Sequence, residues 1–269
     1  MTGEIVFTKA EALGNDFIII GDGLTKPELT ADEVVRLCDR KRCIGADGVL
    51  LIVPSERASF GMRILNADGS EAETCGNGLR CAAVYAYERG LALGPEIDIE
   101  TAAGKSTAFL TKDEQGNIKN VKVDLGSPMF NKTAIEGYDA TCLSVGNPHA
   151  VIFVDSAAEA PVGKVGPEIA RMPQFPGRTN VEFVQVIDRD NITVRVWERG
   201  VGETEACGTG AAASLAASAK KGLTERKAIV GLRGGRLDVE WATNAHLYIK
   251  GEARLVFEGK INRRSLGGQ

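Results

Sequence analysis

The chain has 269 residues, 43% hydrophobic and 25% charged, with 9 prolines and a formal net charge of −4. That is enough for two hydrophobic cores and the wrong balance for disorder, a fibrous repeat or a protein that binds nucleic acid by neutralising phosphates. No apolar run approaches the roughly 18 residues of a membrane span, and the opening Met1-Thr2-Gly3-Glu4 has no targeting features, so a cytoplasmic protein without membrane or nucleic-acid partners is expected.

In chain order, strand patterns fall at 5–8, 17–21, 49–53, 60–65, 97–101 and 105–111, and again at 150–154, 181–186, 192–197, 236–241 and 246–250. Each set brackets a helical run, 78–89 closed by Gly90 and 210–221 closed by Gly222. Lesser helices are expected at 31–40 behind Thr30 as N-cap and near 166–171. The two sets are related by an internal repeat at an offset of 132 residues. There Glu71-x-Glu73-x-Cys75-Gly76-x-Gly78 lies on Glu203-x-Glu205-x-Cys207-Gly208-x-Gly210, and Gly14-Asn15 lies on Gly146-Asn147. The expected fold is α+β: two similar, pseudo-symmetric domains, each a strand-rich, barrel-like shell around a central helix, with the active site in the cleft between them. The halves are placed at 1–120 and 121–251, with 252–269 either joining the first half or standing apart.

The repeat decides which residues carry chemistry. Six cysteines sit at 38, 43, 75, 81, 142 and 207 with no CxxC spacing, and the two histidines, His149 and His246, are too few for a His-rich metal site. Cys75 and Cys207 alone recur in register, each at the start of a helix. There the positive end of the helix lowers a thiol's pKa, and glycines let a ligand carboxylate approach the backbone. For one motif alone, tight helix packing explains the small residues as well; the duplication favours chemistry. Two thiols on opposite sides of one substrate suit the inversion of a carbon that bears an acidic proton, one acting as base and one as acid, with no cofactor required.

With these motifs in place, the chain from Phe7 to about Glu258 resembles the diaminopimelate epimerases, pyridoxal-phosphate-independent enzymes of lysine biosynthesis. The matching stretches include Leu13-Gly14-Asn15-Asp16-Phe17, Gly45-Ala46-Asp47-Gly48, Asn66-Ala67-Asp68-Gly69-Ser70, Glu73-Thr74-Cys75-Gly76-Asn77-Gly78-Leu79-Arg80-Cys81, Gly146-Asn147-Pro148-His149, Thr179-Asn180-Val181-Glu182, and Trp197-Glu198-Arg199-Gly200 leading to Ala206-Cys207-Gly208-Thr209-Gly210. The resemblance implies that Cys75 and Cys207 are the base and acid and that His149 and Glu198 assist their proton transfers. It implies that Gly76, Asn77, Gly208 and Thr209 bind the carboxylate of the reacting centre, and that Asn15, Asn66, Asn147, Asn180, Glu198 and Arg199 line the substrate pocket. It also implies a small-molecule substrate, diaminopimelate, no cofactor or metal, and a homodimer.

Some members of that family carry a substrate-contacting glutamine where this chain has Gly48. Cys38, Cys43, Cys81 and Cys142 are assigned to packing. Proline racemase and hydroxyproline epimerase are the nearest alternatives, differing in the residues before the second Cys-Gly-Thr-Gly. A non-catalytic thiol-based metal or redox module is the alternative from another class.

Overall fold

The computed structural model describes residues 3–22 and 24–267. The chain divides into two compact units, Met1–Val123 with Glu252–Gln269, and Asp124–Gly251.

The first unit contains β1 (Glu4–Ala12), β2 (Asn15–Ile20), α1 (Ala31–Cys38), β3 (Gly48–Val53), β4 (Phe60–Asn66), β5 (Glu71–Ala72), α2 (Gly76–Glu88), β6 (Glu96–Thr101), β7 (Gly104–Lys112) and β8 (Ile118–Asp124), which runs up to the division. The second contains β9 (Met129–Phe130), β10 (Ala140–Ser144), β11 (Pro148–Phe153), α3 (Val162–Ala170), β12 (Asn180–Val186), β13 (Asn191–Glu198), β14 (Gly202–Glu203), α4 (Gly208–Lys220), β15 (Lys227–Leu232), β16 (Gly235–Trp241) and β17 (Leu247–Gly251). β18 (Arg254–Asn262) then returns to the first unit.

The repeat read from the sequence is a repeat of topology. The first unit runs β18-β1-β2-β3-β4-β6-β7-β8, with β2–β3 and β4–β6 parallel and the other pairs antiparallel. The second runs β9-β10-β11-β12-β13-β15-β16-β17, with parallel pairs at the same two places, β11–β12 and β13–β15. Each short extra strand, β5 on β4 and β14 on β13, leads into the unit's main helix. α2 touches β1, β2, β3, β6, β7 and β18, and α4 touches every main strand from β10 to β17. A helix surrounded in this way cannot be amphipathic, and eleven of the thirteen residues of α4 are Gly, Ala, Ser or Thr. Its Ser214 and Ser218 satisfy their buried hydroxyls by donating to the carbonyls of Gly210 and Ser214, both at 2.7 Å.

The α+β class and the paired, helix-centred units agree with the sequence. Four details differ. α2 and α4 begin at Gly76 and Gly208, two residues before the expected starts, because each cysteine is itself the N-cap. α3 begins at Val162 and carries Pro167 inside it. α1 ends at Cys38, two residues early, while its Thr30–Glu33 capping box is formed as expected. β8, β10, β15 and β18 have no counterpart in the sequence reading. β18 is mostly exposed, and its Gly259 lies opposite Phe7, where a Cβ would come within 2.6 Å of the Phe7 ring.

Candidate active site

In the first unit, Cys75 follows β5 with extended backbone, and its Sγ accepts the Gly78 N–H at 3.4 Å. The first turn of α2 is anchored by Asn77, 1% exposed, whose Nδ2 donates to Asn15 Oδ1 at 3.1 Å and whose Oδ1 accepts from Arg80 Nη2 at 2.8 Å. Asn15 in turn donates through Nδ2 to Asp47 Oδ2 at 2.8 Å, which fixes which way its amide points. Asp47 also accepts from the Asp16 N–H and from Arg40. Asp16 is bound by Lys9 at 2.6 Å and Arg40 at 2.5 Å; burial works against its charge, but those hydrogen bonds hold its carboxyl below the usual carboxylate range. Asn66 spends its amide inside the turn that follows β4, donating to Ser70 Oγ at 3.0 Å. At Gly48 a Cβ would lie 2.7 Å from the Leu65 carbonyl oxygen, so this backbone leaves no room for a side chain there.

In the second unit, Cys207 is buried, and its Sγ accepts the Gly210 N–H at 3.4 Å and lies 3.5 Å from Thr209 Oγ1. A continuous polar chain runs from that hydroxyl. Asn147 Nδ2 donates to Thr209 Oγ1 at 3.3 Å, Asn147 Oδ1 meets His149 Nε2 at 2.9 Å, and His149 Nδ1 meets Glu182 Oε1 at 2.7 Å. Because an amide oxygen only accepts, Nε2 carries the hydrogen. Burial pushes the Glu182 carboxyl up despite His149, and its Oε2 is buried with no partner, a state far less costly for a neutral acid than for a carboxylate. Glu198, at the end of β13, accepts from Thr204 Oγ1 at 2.5 Å and is also hydrogen-bonded to Cys207; burial pushes its carboxyl up as well. Asn180 Oδ1 accepts the backbone N–H of Arg199 at 2.9 Å, tying β12 to the turn after β13.

The expectation that the helix N-terminus lowers the thiol pKa fails at Cys207. Burial, followed by the neighbouring Glu198 and Glu182, pushes this thiol well above its ordinary value, outweighing the hydrogen bonds from Thr209 and Gly210. The cysteines assigned to packing are all free. Burial raises Cys38 to about 12 and Cys142 to about 11. Among the described residues no group of three or more His, Cys, Asp or Glu is placed to hold a metal ion, and no described helix is long and apolar enough to cross a membrane.

Each unit therefore gathers its expected residues around its own helix start: Asn15, Gly76 and Asn77 near Cys75, and Asn147, His149, Glu198, Gly208 and Thr209 near Cys207. Asn66 is spent inside its own turn, while Asn180 Oδ1 and the Arg199 backbone N–H tie β12 to the turn after β13. Sequence reasoning passed over Asp47, Arg80 and Glu182. Two of these carried a visible signal: Glu182 interrupts the apolar run Val181-Glu182-Phe183-Val184, and Arg80 is the one charge between Leu79 and Tyr87 on a helix that is otherwise apolar.

The family profile of the diaminopimelate epimerases matches residues 7–131 and 141–256, the first stretch covering most of the first unit and the second most of the second. The chain belongs to the diaminopimelate epimerase family. Within it, the chain is 44% identical over 279 aligned residues to the diaminopimelate epimerase of Acetivibrio thermocellus, covering 97% of this chain and 99% of that one. It is 45% identical to that of Moorella thermoacetica, covering 94% and 98%. Among solved structures, the fold is shared with a predicted epimerase from Pseudomonas aeruginosa (TM-score 0.75, 17% identity, 96% and 99% covered) and a probable proline racemase from Agrobacterium radiobacter (0.73, 18%, 96% and 92%). Membership in the family makes the chain an isomerase of the epimerase type.

Proposed function

We propose that this chain interconverts LL- and meso-diaminopimelate, one cysteine thiolate removing the α-proton and the other cysteine thiol returning a proton to the opposite face. The observation that carries the reading is the duplicated placement of Cys75 and Cys207. Each is the N-cap of its unit's central helix, and each Sγ accepts the N–H three residues on at 3.4 Å. A proton taken by one sulfur and given by the other leaves the pair with one proton throughout, so the same machinery runs in both directions. The N–H groups of the Gly76-Asn77 and Gly208-Thr209 turns are suited to the carboxylate beside the reacting carbon, where charge develops as the α-proton leaves.

The units differ where the repeat breaks: Glu198 and Arg199 fall opposite Asn66 and Ala67. In this reading these two, with Asn15, Asn147 and Asn180, read the distal amino acid group, and His149 and Glu198 assist the thiols. The match to named diaminopimelate epimerases over nearly the whole chain supports that substrate over proline. In this reading the enzyme serves lysine and peptidoglycan-precursor synthesis and works as a cytoplasmic homodimer.

The test is incubation with LL- and meso-diaminopimelate, L-proline and L-glutamate in D2O, followed by chiral and mass analysis. Early product from LL-diaminopimelate should carry solvent deuterium at the inverted carbon while recovered substrate stays largely unlabelled. Inversion of proline alone would replace the substrate, and early product that retains the substrate's own hydrogen would refute the two-cysteine scheme. Size-exclusion chromatography with light scattering tests the dimer.

A further inference from the structure

Arg80 is 0% exposed, yet every hydrogen bond of its guanidinium goes to a neutral acceptor: Asn77 Oδ1 at 2.8 Å, Glu252 O at 3.4 Å and Gly76 O at 3.5 Å. It forms no ion pair among the described residues, whereas buried guanidinium groups ordinarily meet a carboxylate. Two of its contacts lie in the first turn of α2, so the charge reaches back to the residues immediately after Cys75. The other ionisable groups near it are already engaged: Glu11 pairs with Arg254, and Asp16 pairs with Lys9 and Arg40. Cys81, next in the chain, is buried and pushed up as a thiol. Glu73, two residues before Cys75, is exposed and has a partner of its own.

The corresponding place in the second unit is built with the opposite polarity. At the repeat offset of 132, Arg80 becomes Ala212, and Leu50 becomes Glu182. The difference is visible at two equivalent glycines: a Cβ on Gly78 would meet Leu50 Cδ2, and one on Gly210 would meet Glu182 Oε1. Cys207 faces Glu198 from β13 and the Glu182–His149 pair from β12 and β11. That pair has no net charge whichever partner holds the proton, and the Glu198 carboxyl lies beside the thiol. Glu203 and Glu205 are drawn off by Arg195 and Arg233.

We propose that Arg80 is a positioning residue for the proton itself: its unpaired buried charge makes Cys75 the resting thiolate, while Cys207, beside Glu198, holds the pair's single proton as a thiol. This rests on the two-cysteine reading of the reaction. It makes Cys75 the base and Cys207 the acid in the dominant form of the free enzyme. On turnover a C–H bond breaks as an S–H bond forms on Cys75, and the S–H bond of Cys207 breaks as the new C–H bond forms. The enzyme is left in its minor form, and the charge asymmetry drives the proton back.

The test is iodoacetamide labelling of the full, substrate-free chain across pH, read peptide by peptide by mass spectrometry. The midpoint of each profile, rather than its amplitude, reports ionisation, so the burial of Cys207 does not disguise the result. Cys75 should show a midpoint at least about one pH unit below that of Cys207. Arg80→Met should move the Cys75 midpoint up by a similar amount and Arg80→Lys should restore most of it, while Glu198→Gln should lower the Cys207 midpoint. A Cys207 midpoint at or below that of Cys75 in the unmodified protein overturns the proposal, as does an Arg80→Met chain with an unmoved Cys75 midpoint. Should Arg80→Met not fold, the unmodified profile and Glu198→Gln decide. Since labelling needs no substrate, these outcomes are separate from failure of the epimerase reading, which would appear as turnover by a variant lacking either cysteine.

Discussion

Gly78 and Gly210 occupy the same place in the two units, and alanine at each should give opposite results. In a helix interior alanine is worth about 1 kcal/mol over glycine, and in the first turn, where both glycines sit, each variant starts with up to that gain. At Gly78 the new Cβ would lie 3.2 Å from Leu50 Cδ2, the end of a flexible side chain, and 3.7 Å from Cys75 Sγ. A few tenths of an ångström of movement relieves it, and Gly78→Ala should be neutral to about 1 kcal/mol more stable. At Gly210 the new Cβ would lie 2.9 Å from Glu182 Oε1 and 3.3 Å from Cys207 Sγ. That oxygen is bound to His149 Nδ1 at 2.7 Å inside a fully buried pair. Overpacking of this kind costs roughly 1–3 kcal/mol, and a weakened hydrogen bond about 0.5–1.5 more. After the helix gain, Gly210→Ala should lose about 2 kcal/mol, and a chain of this size loses about 2–4 °C in Tm per kcal/mol. Urea denaturation of both variants against the parent measures the difference, and turnover should fall more for Gly210→Ala because Cys207 and Glu182 move together. A Gly210→Ala protein as stable as Gly78→Ala would refute the close packing of Glu182 against that helix start.

Cys75→Ser and Cys207→Ser should each reduce epimerisation by at least about 10²-fold, the usual scale for losing a positioned acid or base, while urea midpoints stay near the parent's; near-normal turnover in either removes the acid–base pair. Arg199→Lys should raise KM with little change in kcat, since lysine keeps the charge but loses the planar fork, and an unchanged KM would show that Arg199 serves only its turn. Arg263 binds Glu33 at 2.5 Å and holds its carboxyl below the usual range. A depressed carboxyl contributes stability above its unfolded value and loses it as pH falls through the folded one. Arg263→Ala should therefore cost about 1 kcal/mol or less at neutral pH, with the gap to the parent closing below the ordinary glutamate range; a gap that persists in acid would mean the loss is packing.

Reading the sequence located the helix starts because Cys-Gly-x-Gly recurs in register, and the strands that flank α2 and α4 because their apolar residues alternate or run together. It missed β18, whose residues are mostly exposed and whose inward face is interrupted by Gly259, so that only its pairing with β1 makes it a strand. The thiol electrostatics were legible only in part. A helix N-terminus is a local feature and can be read from spacing, but the burial of Cys207 and the approach of Glu198 and Glu182 come from β12 and β13, tens of residues away in the chain. Asp47 and Arg80 matter through what they hold, Asn15 and Asn77, and that relation exists only once the chain is folded.

The pairing of β1 with β18, which sets Glu4 opposite Asn262, has a consequence for how the molecule is made. The unit from Asp124 to Gly251 is a single uninterrupted stretch and can close while the ribosome is still adding residues. The other unit cannot, because β18, the partner of β1, comes only after the whole of that stretch. Until β18 has been made, β1 presents a bare edge, and such an edge is a template for pairing with another chain. Its Val6, and Val256 and Phe257 on β18, stay exposed even in the finished fold, so crowding of nascent chains should be most damaging in the interval before residue 254 is reached. A circular permutant that begins at Glu252 and joins the old ends through a short linker would give β1 its neighbour at the outset, and should fold with less aggregation at the same final stability.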